Sequence, residues 1–205
     1  IKLGNLNAKR LLEIFRDFDQ KILTSKQVEG RLSGNIQLNA VVDSDLNLPA
    51  DYISYVGEFS LKKAELIDFE PIVKALRHVK KKEASHVHID NLKGKALYHR
   101  RQMYIPYLNF SSNLTTISLF GNRKPTEYMD FHVELSLGEL LFKSKKRKEK
   151  ERKGRVAKKD GKMDVRVNLT GMPGEMKVKT RSKKVFEQTK RATNRAYTNV
   201  KRKYF

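Results

Sequence analysis

The sequence predicts an α+β fold that is mostly β: a long antiparallel curved sheet with a one-sided apolar face, flanked by an N-terminal, a mid-chain and a C-terminal helix. Three observations carry this. From Leu32 onward most segments alternate apolar and polar residues at period two, which is the signature of a half-buried strand. Three other segments repeat their apolar residues at helical spacing. Short turn signals such as "NLKG" and "FGNRKP" separate the alternating runs.

In order along the chain, "NAKRLLEIFRDFDQKI" sets Leu11, Leu12, Phe15, Phe18 and Ile22 on one helical stripe, so residues 7–22 should form an amphipathic helix. From Leu32 the period changes. Leu32, Gly34, Ile36, Leu38, Ala40 and Val42 share one parity, with Ser33, Asn35, Gln37 and Asn39 on the other. "VGEFSLKKAELI" offers a second strand. "DFEPIVKALRHVKK" returns to a helix with Phe69, Ile72, Val73, Leu76 and Val79 on one side; Asp68 is a candidate cap, and Pro71 is tolerated in the first turn.

Beyond that helix "SHVHIDNLKGKALYH", "RQMYIPYLNFSSNL", "TTISLFGN", "EYMDFHVELSLGELLF" and "KMDVRVNLTG" all alternate. In residues 127–142, Met129, Phe131, Val133, Leu135 and Leu137 face one way, while Asp130, His132, Glu134 and Ser136 face the other. The final "KKVFEQTKRATNRAYTNVKRKYF" places Val185, Phe186, Thr189, Ala192, Ala196, Tyr197 and Val200 roughly along a helical stripe. That helix should dock on something apolar.

A chain of 205 residues is long enough for one substantial domain, and residues 1–205 are read as one β-rich domain. The formal charge of +21 is unevenly distributed. Residues 1–142 carry 20 Lys or Arg against 17 Asp or Glu, whereas residues 143–205 carry 24 against 6. Twelve of those cations fall within 143–162; such a run cannot bury a core face, so it is expected to be a flexible basic insertion. An anionic partner fits it, and a membrane surface satisfies the same electrostatics as a phosphate backbone. Cysteine is absent, which excludes disulfides and thiolate metal sites. No apolar run approaches the roughly 18 to 20 residues of a membrane helix. Because the chain begins at Ile1, it is read as a portion of a longer protein.

No catalytic constellation is found: there is no glycine-rich phosphate loop, nucleophile elbow or His-Glu-x-x-His. His86 and His88 share a strand face and could be two of three metal ligands, but the sequence places no third, and two polar-face residues are the plainer reading. No metal and no cofactor is assigned. Asn109, Asn113 and Asn168 each begin a glycosylation sequon, which an Asn- and Thr-rich β protein produces by chance. Nucleic-acid binding would want exposed aromatics beside the cations. Tyr98, Tyr104 and Tyr107 lie near His99, Arg100 and Arg101, yet Phe59, Phe110, Phe120 and Phe131 sit within apolar strands where burial explains them; nucleic acid is therefore disfavoured. The one-faced strands remain. Their apolar face must be hidden from water, either as a packed core or as a groove for an extended hydrocarbon ligand, and periodicity does not separate these readings.

The order of segments adds a resemblance. "LLEIFRDFDQKILTSKQVEGRLSGNIQLNAVVDSDLNL", "GEFSLKKAELIDFEPIVKAL", "YIPYLNFSSNLTTISLFG" and "VNLTG" together resemble the C-terminal region of AsmA-like proteins, from about residue 7 to the last helix. The resemblance implies the β-rich periplasmic part of an inner-membrane-anchored envelope protein of bacteria with two membranes, related to TamB-like and YhdP-like proteins. It implies a non-enzymatic role in intermembrane lipid transport or outer-membrane assembly, with phospholipid, the membrane and outer-membrane assembly proteins as partners. On that reading the acyl chain lies along Ile36, Leu38, Phe59, Leu61, Phe110, Phe131, Val133, Leu135, Val165, Val167 and Leu169. Lys145, Lys146, Arg147 and Lys148 then meet anionic head groups or a partner. The basic insertion departs from the family pattern. The alternatives are a structural or protein-interaction module of the envelope that binds no lipid, and nucleic-acid binding through the basic tail.

Overall fold

The computed structural model describes residues 1–14, 17, 23–45, 50–75, 84–136 and 164–205. Phe15, Phe18, Ile22, Leu76, Val79 and Leu137 lie outside the described residues, as does the basic run with Lys145, Lys146, Arg147 and Lys148.

Among the described residues nine antiparallel strands form one sheet in sequence order. They are β1 (Lys2–Asn7), β2 (Val28–Ala40), β3 (Ile53–Ile67), β4 (His86–His99), β5 (Gln102–Ser111), β6 (Thr116–Arg123), β7 (Met129–Ser136), β8 (Asp164–Gly171) and β9 (Lys177–Thr180). Among the described residues three α-helices accompany them: α1 (Ala8–Ile14), α2 (Glu70–Ala75) and α3 (Lys183–Tyr204). The expected mostly-β architecture with three flanking helices is observed. β1 and β9 are the two additions. β1 escapes the alternation rule because Asn5 sits at φ 52° and the pairing with β2 shifts between Leu3 and Leu6. β9 has only four residues.

Several local expectations change. The "NLKG" segment is not a turn, because β4 runs straight through it and pairs with β3 from Ser54↔His99 to Ile67↔His86. Gly94 is there for space: a Cβ would collide with Leu108 and with the Phe59 ring. In α2 the first helical N–H groups, those of Ile72 and Val73, bond the Phe69 carbonyl at 3.0 Å. Phe69 thus stands at the cap position, while Asp68 has φ 47° and its N–H bonds the Ser85 carbonyl. α1 is capped by Asn7, whose Oδ1 accepts from the Arg10 N–H.

Directly opposed residues of antiparallel strands point to the same side, so the registers sort every strand residue onto one of two faces. The expected apolar parities all fall on one face, and it carries most of the core. Leu61, Leu108, Phe110, Ile117, Phe131, Val133, Leu135, Val167 and Leu169 belong to a single buried cluster with Ala8, Val28 and Ile72. The sheet wraps around this face as twisted strands must. α2 follows β3 yet reaches the β8–β9 turn, where Glu70 accepts the Gly174 and Met176 N–H groups and Lys74 donates to the Met176 carbonyl. The sheet does not close: β1 and β9 are its ends and do not pair with each other.

On the polar face α3 lies across β4, β5 and β6. This helix of 22 residues spans roughly 33 Å and is capped by Ser182, whose hydroxyl accepts from the Val185 N–H. It docks through exceptions to the alternation. Phe186 packs edge-on against Phe120 at 4.9 Å, and Tyr197 joins Val56 and Leu97, with Tyr104 beside them. His132, on the polar parity, is consequently only 4 % exposed.

Candidate functional site

Eleven residues were expected to line an apolar surface, and the structure puts all of them on one face. Ile36 and Leu38 oppose Gly57 and Tyr55, and Phe59 and Leu61 oppose Gly34 and Leu32. Phe110 opposes Ile117, which opposes Leu135. Val165, Val167 and Leu169 oppose Leu135, Val133 and Phe131. A one-residue bulge in β5 between Ile105 and Leu108 keeps the two halves of that strand on this face.

Their surroundings divide them into two groups. Leu61, Phe110, Phe131, Val133, Leu135, Val167 and Leu169 are buried, held under α2 and the facing strands. Ile36, Phe59 and Val165 are only half-buried, and Leu38 is 45 % exposed. The accessible part of the face is therefore its corner at the β2 side, where Leu38 is the most exposed member. Just beyond Leu38, Val41, Val42 and Tyr52 are exposed as well.

One rung of residues runs from this corner across the sheet: Leu38, Tyr55, Tyr98, Met103, Arg123 and Met129, each directly opposite the next. Tyr55 and Tyr98 stack with ring centroids 5.2 Å apart. Burial pushes the Tyr55 phenol up to about 12, with Tyr98 adding to the rise and Arg123 opposing it. Burial likewise raises Tyr98, against the charges of Arg123 and Arg101. Both phenols therefore stay neutral hydroxyls across the physiological range. Arg123 is the unexpected member of the rung. It is 8 % exposed, and among the described residues its Nε has no hydrogen-bond partner. Asp51, the carboxylate felt at Tyr98, is bound by Arg101 at 3.0 Å. The sequence did carry a signal for Arg123, since it continues the parity of Ile117, Leu119 and Gly121. The adjoining "NRKP" turn signal obscured it.

On the opposite face the titratable groups are matched to one another. His132 stacks on Phe120 at 4.9 Å and its Nε2 lies 3.2 Å from Asp130 Oδ1. Asn168 donates to the same oxygen at 2.6 Å and accepts from Arg181 at 2.8 Å. The hydrogen bond from His132 is the main cause holding Asp130 below the usual carboxylate range, against its burial and with Asn168 adding. Arg166 pairs with Glu134 and Asp164. This network anchors the start of α3 and presents no open nucleophile.

His86 and His88 gain the acidic neighbour that the sequence could not place. Glu65, across the ladder on β3, lies 2.6 Å and 3.9 Å from their Nδ1 atoms. Among the described residues no group of three or more His, Asp or Glu is placed to hold a metal ion, and no helix is long and apolar enough to cross a membrane.

No protein-family model, curated protein or solved structure matches this chain.

Proposed function

We propose that this chain binds hydrocarbon chains of phospholipid on the apolar face of its sheet, without covalent chemistry, as the periplasmic part of an inner-membrane-anchored, AsmA-like envelope protein engaged in lipid transport or outer-membrane assembly. One observation supports the reading above the others: the face is apolar from β2 to β9, but its β2–β4 corner is left uncovered in an unclosed sheet. A sheet built only to enclose a core would hide that corner. Each methylene transferred from water onto such a surface contributes about 0.8 kcal/mol, so a shielded strip lowers the barrier to moving an acyl chain and requires no catalytic residue. Ile36, Leu38 and Phe59 offer the contact surface; the buried members of the face give it rigidity.

The experiment is to purify the full chain without detergent and measure native mass and extractable phospholipid. Stoichiometric lipid is the expected result. A lipid-free protein that also fails to take up added phospholipid would overturn the proposal and turn attention to a protein-interaction role.

A further inference from the structure

We propose that Arg123 is the anion-binding residue of this face, taking the oxyanion head of an amphiphile, a phosphate diester or a carboxylate, whose chain lies along the half-exposed corner. The inference rests on the acyl-chain reading of the same face and adds a chemical class to it.

A guanidinium cannot shed its proton to escape burial. A desolvated cation is costly unless it is paired or hydrogen-bonded, so native proteins bury arginine against carboxylates, carbonyls or bound anions. Arg166 on the other face follows that rule, with Glu134 and Asp164 as its partners. Arg123 does not. Its Nε is buried and unpartnered among the described residues. Its immediate rung neighbours are the thioethers of Met103 and Met129. The groups that feel its charge are the phenols of Tyr55 and Tyr98.

This constellation suits an incoming oxyanion. The planar fork of arginine matches two oxygens of a phosphate or carboxylate, and two neutral tyrosine hydroxyls can donate to the same group. The position fits as well. Arg123 on β6 shares a rung with Leu38 on β2, with Met103, Tyr98 and Tyr55 between them, so the chain of a head group held there would run along that rung toward the exposed Leu38 and the adjoining Ile36.

The test uses the full chain and four probes: phosphatidylglycerol, oleate, uncharged monoolein and inorganic phosphate. Binding is measured by native mass spectrometry and calorimetry for the wild type, Arg123→Met and Arg123→Lys. The wild type should prefer phosphatidylglycerol and oleate over monoolein by roughly ten- to a hundredfold, the range of a charge-assisted hydrogen-bonded pair. Arg123→Met should erase that preference while still binding monoolein. Arg123→Lys should keep part of it, since lysine offers a point charge without the fork; it also carries the test should the methionine variant fail to fold. Inorganic phosphate binding as tightly as phosphatidylglycerol, and depending on Arg123, would support the anion site and assign it to a free oxyanion. A wild type without anion preference, or a preference unchanged in Arg123→Met, would overturn the proposal. Monoolein uptake without anion preference would leave the acyl-chain reading standing alone. Arg123-dependent phosphate binding without uptake of any chain would do the reverse.

Discussion

The centre of the apolar face and its β2–β4 corner are written in the same alternating pattern, yet they end in different environments. At the centre Phe131, Val133 and Leu135 are at most 3 % exposed, closed over by α2 and the facing strands. At the corner Leu38 is 45 % exposed and Phe59 half-buried. The difference lies in what covers each part. α2 and the β8–β9 turn tie together over the β8 side of the face, whereas Leu38 on β2 lies near the opposite edge of the sheet. Alternation specifies a face; only long-range closure decides whether that face becomes core or contact surface.

Substitution at the two places should separate them. Phe131→Ala at the centre should cost about 3–5 kcal/mol of stability, the usual range for truncating a fully buried phenylalanine, and the loss should appear as a lower urea midpoint. Phe59→Ala at the corner should cost only about 1–2 kcal/mol, because part of the ring already meets water, yet it should remove a larger share of phospholipid uptake than its stability change explains. Equal destabilisation by the two substitutions, with no selective effect on uptake, would erase the distinction between centre and corner.

The same comparison shows what was legible beforehand. Period-two patterning was enough to place all eleven expected residues on one face, since a strand's side is a local property. The fate of that face depended on contacts between residues far apart in sequence, such as Glu70 with Gly174, and no local pattern encodes them. Where the last helix docks on the other face was hidden for a related reason. Val56, Leu97 and Phe120 interrupt the polar parity one at a time, and each looks like noise until α3 is laid across them. Arg123 escaped notice because a turn signal overlapped its strand; its place between Met103 and Met129 follows from register once the strands are aligned.

The smallest expected effect concerns the tie that closes the centre. Burial alone would raise Glu70, but Lys74 and the N–H groups of Gly174 and Met176 outweigh it, so the carboxyl is held below its ordinary value of 4.5. A carboxylate whose pKa is depressed by folding stabilises the fold fully above its unfolded pKa, and that contribution is lost as pH falls through the folded value. Asp130, depressed from an ordinary 3.8, behaves in the same sense on the opposite face. The urea midpoint should therefore fall as pH drops from neutral toward about 3. Glu70→Gln should cost about 1 kcal/mol at neutral pH, the scale of a hydrogen-bonded charge that is partly solvated, and nearly nothing at the acidic end, where the wild-type carboxyl is itself protonated. Asp130→Asn should flatten a separate part of the profile, additively, because the two carboxyls lie on opposite faces and share no partner. Parallel pH profiles for wild type and Glu70→Gln would mean that the contact between α2 and the β8–β9 turn does not hold the centre closed, and the contrast with the corner would need another cause.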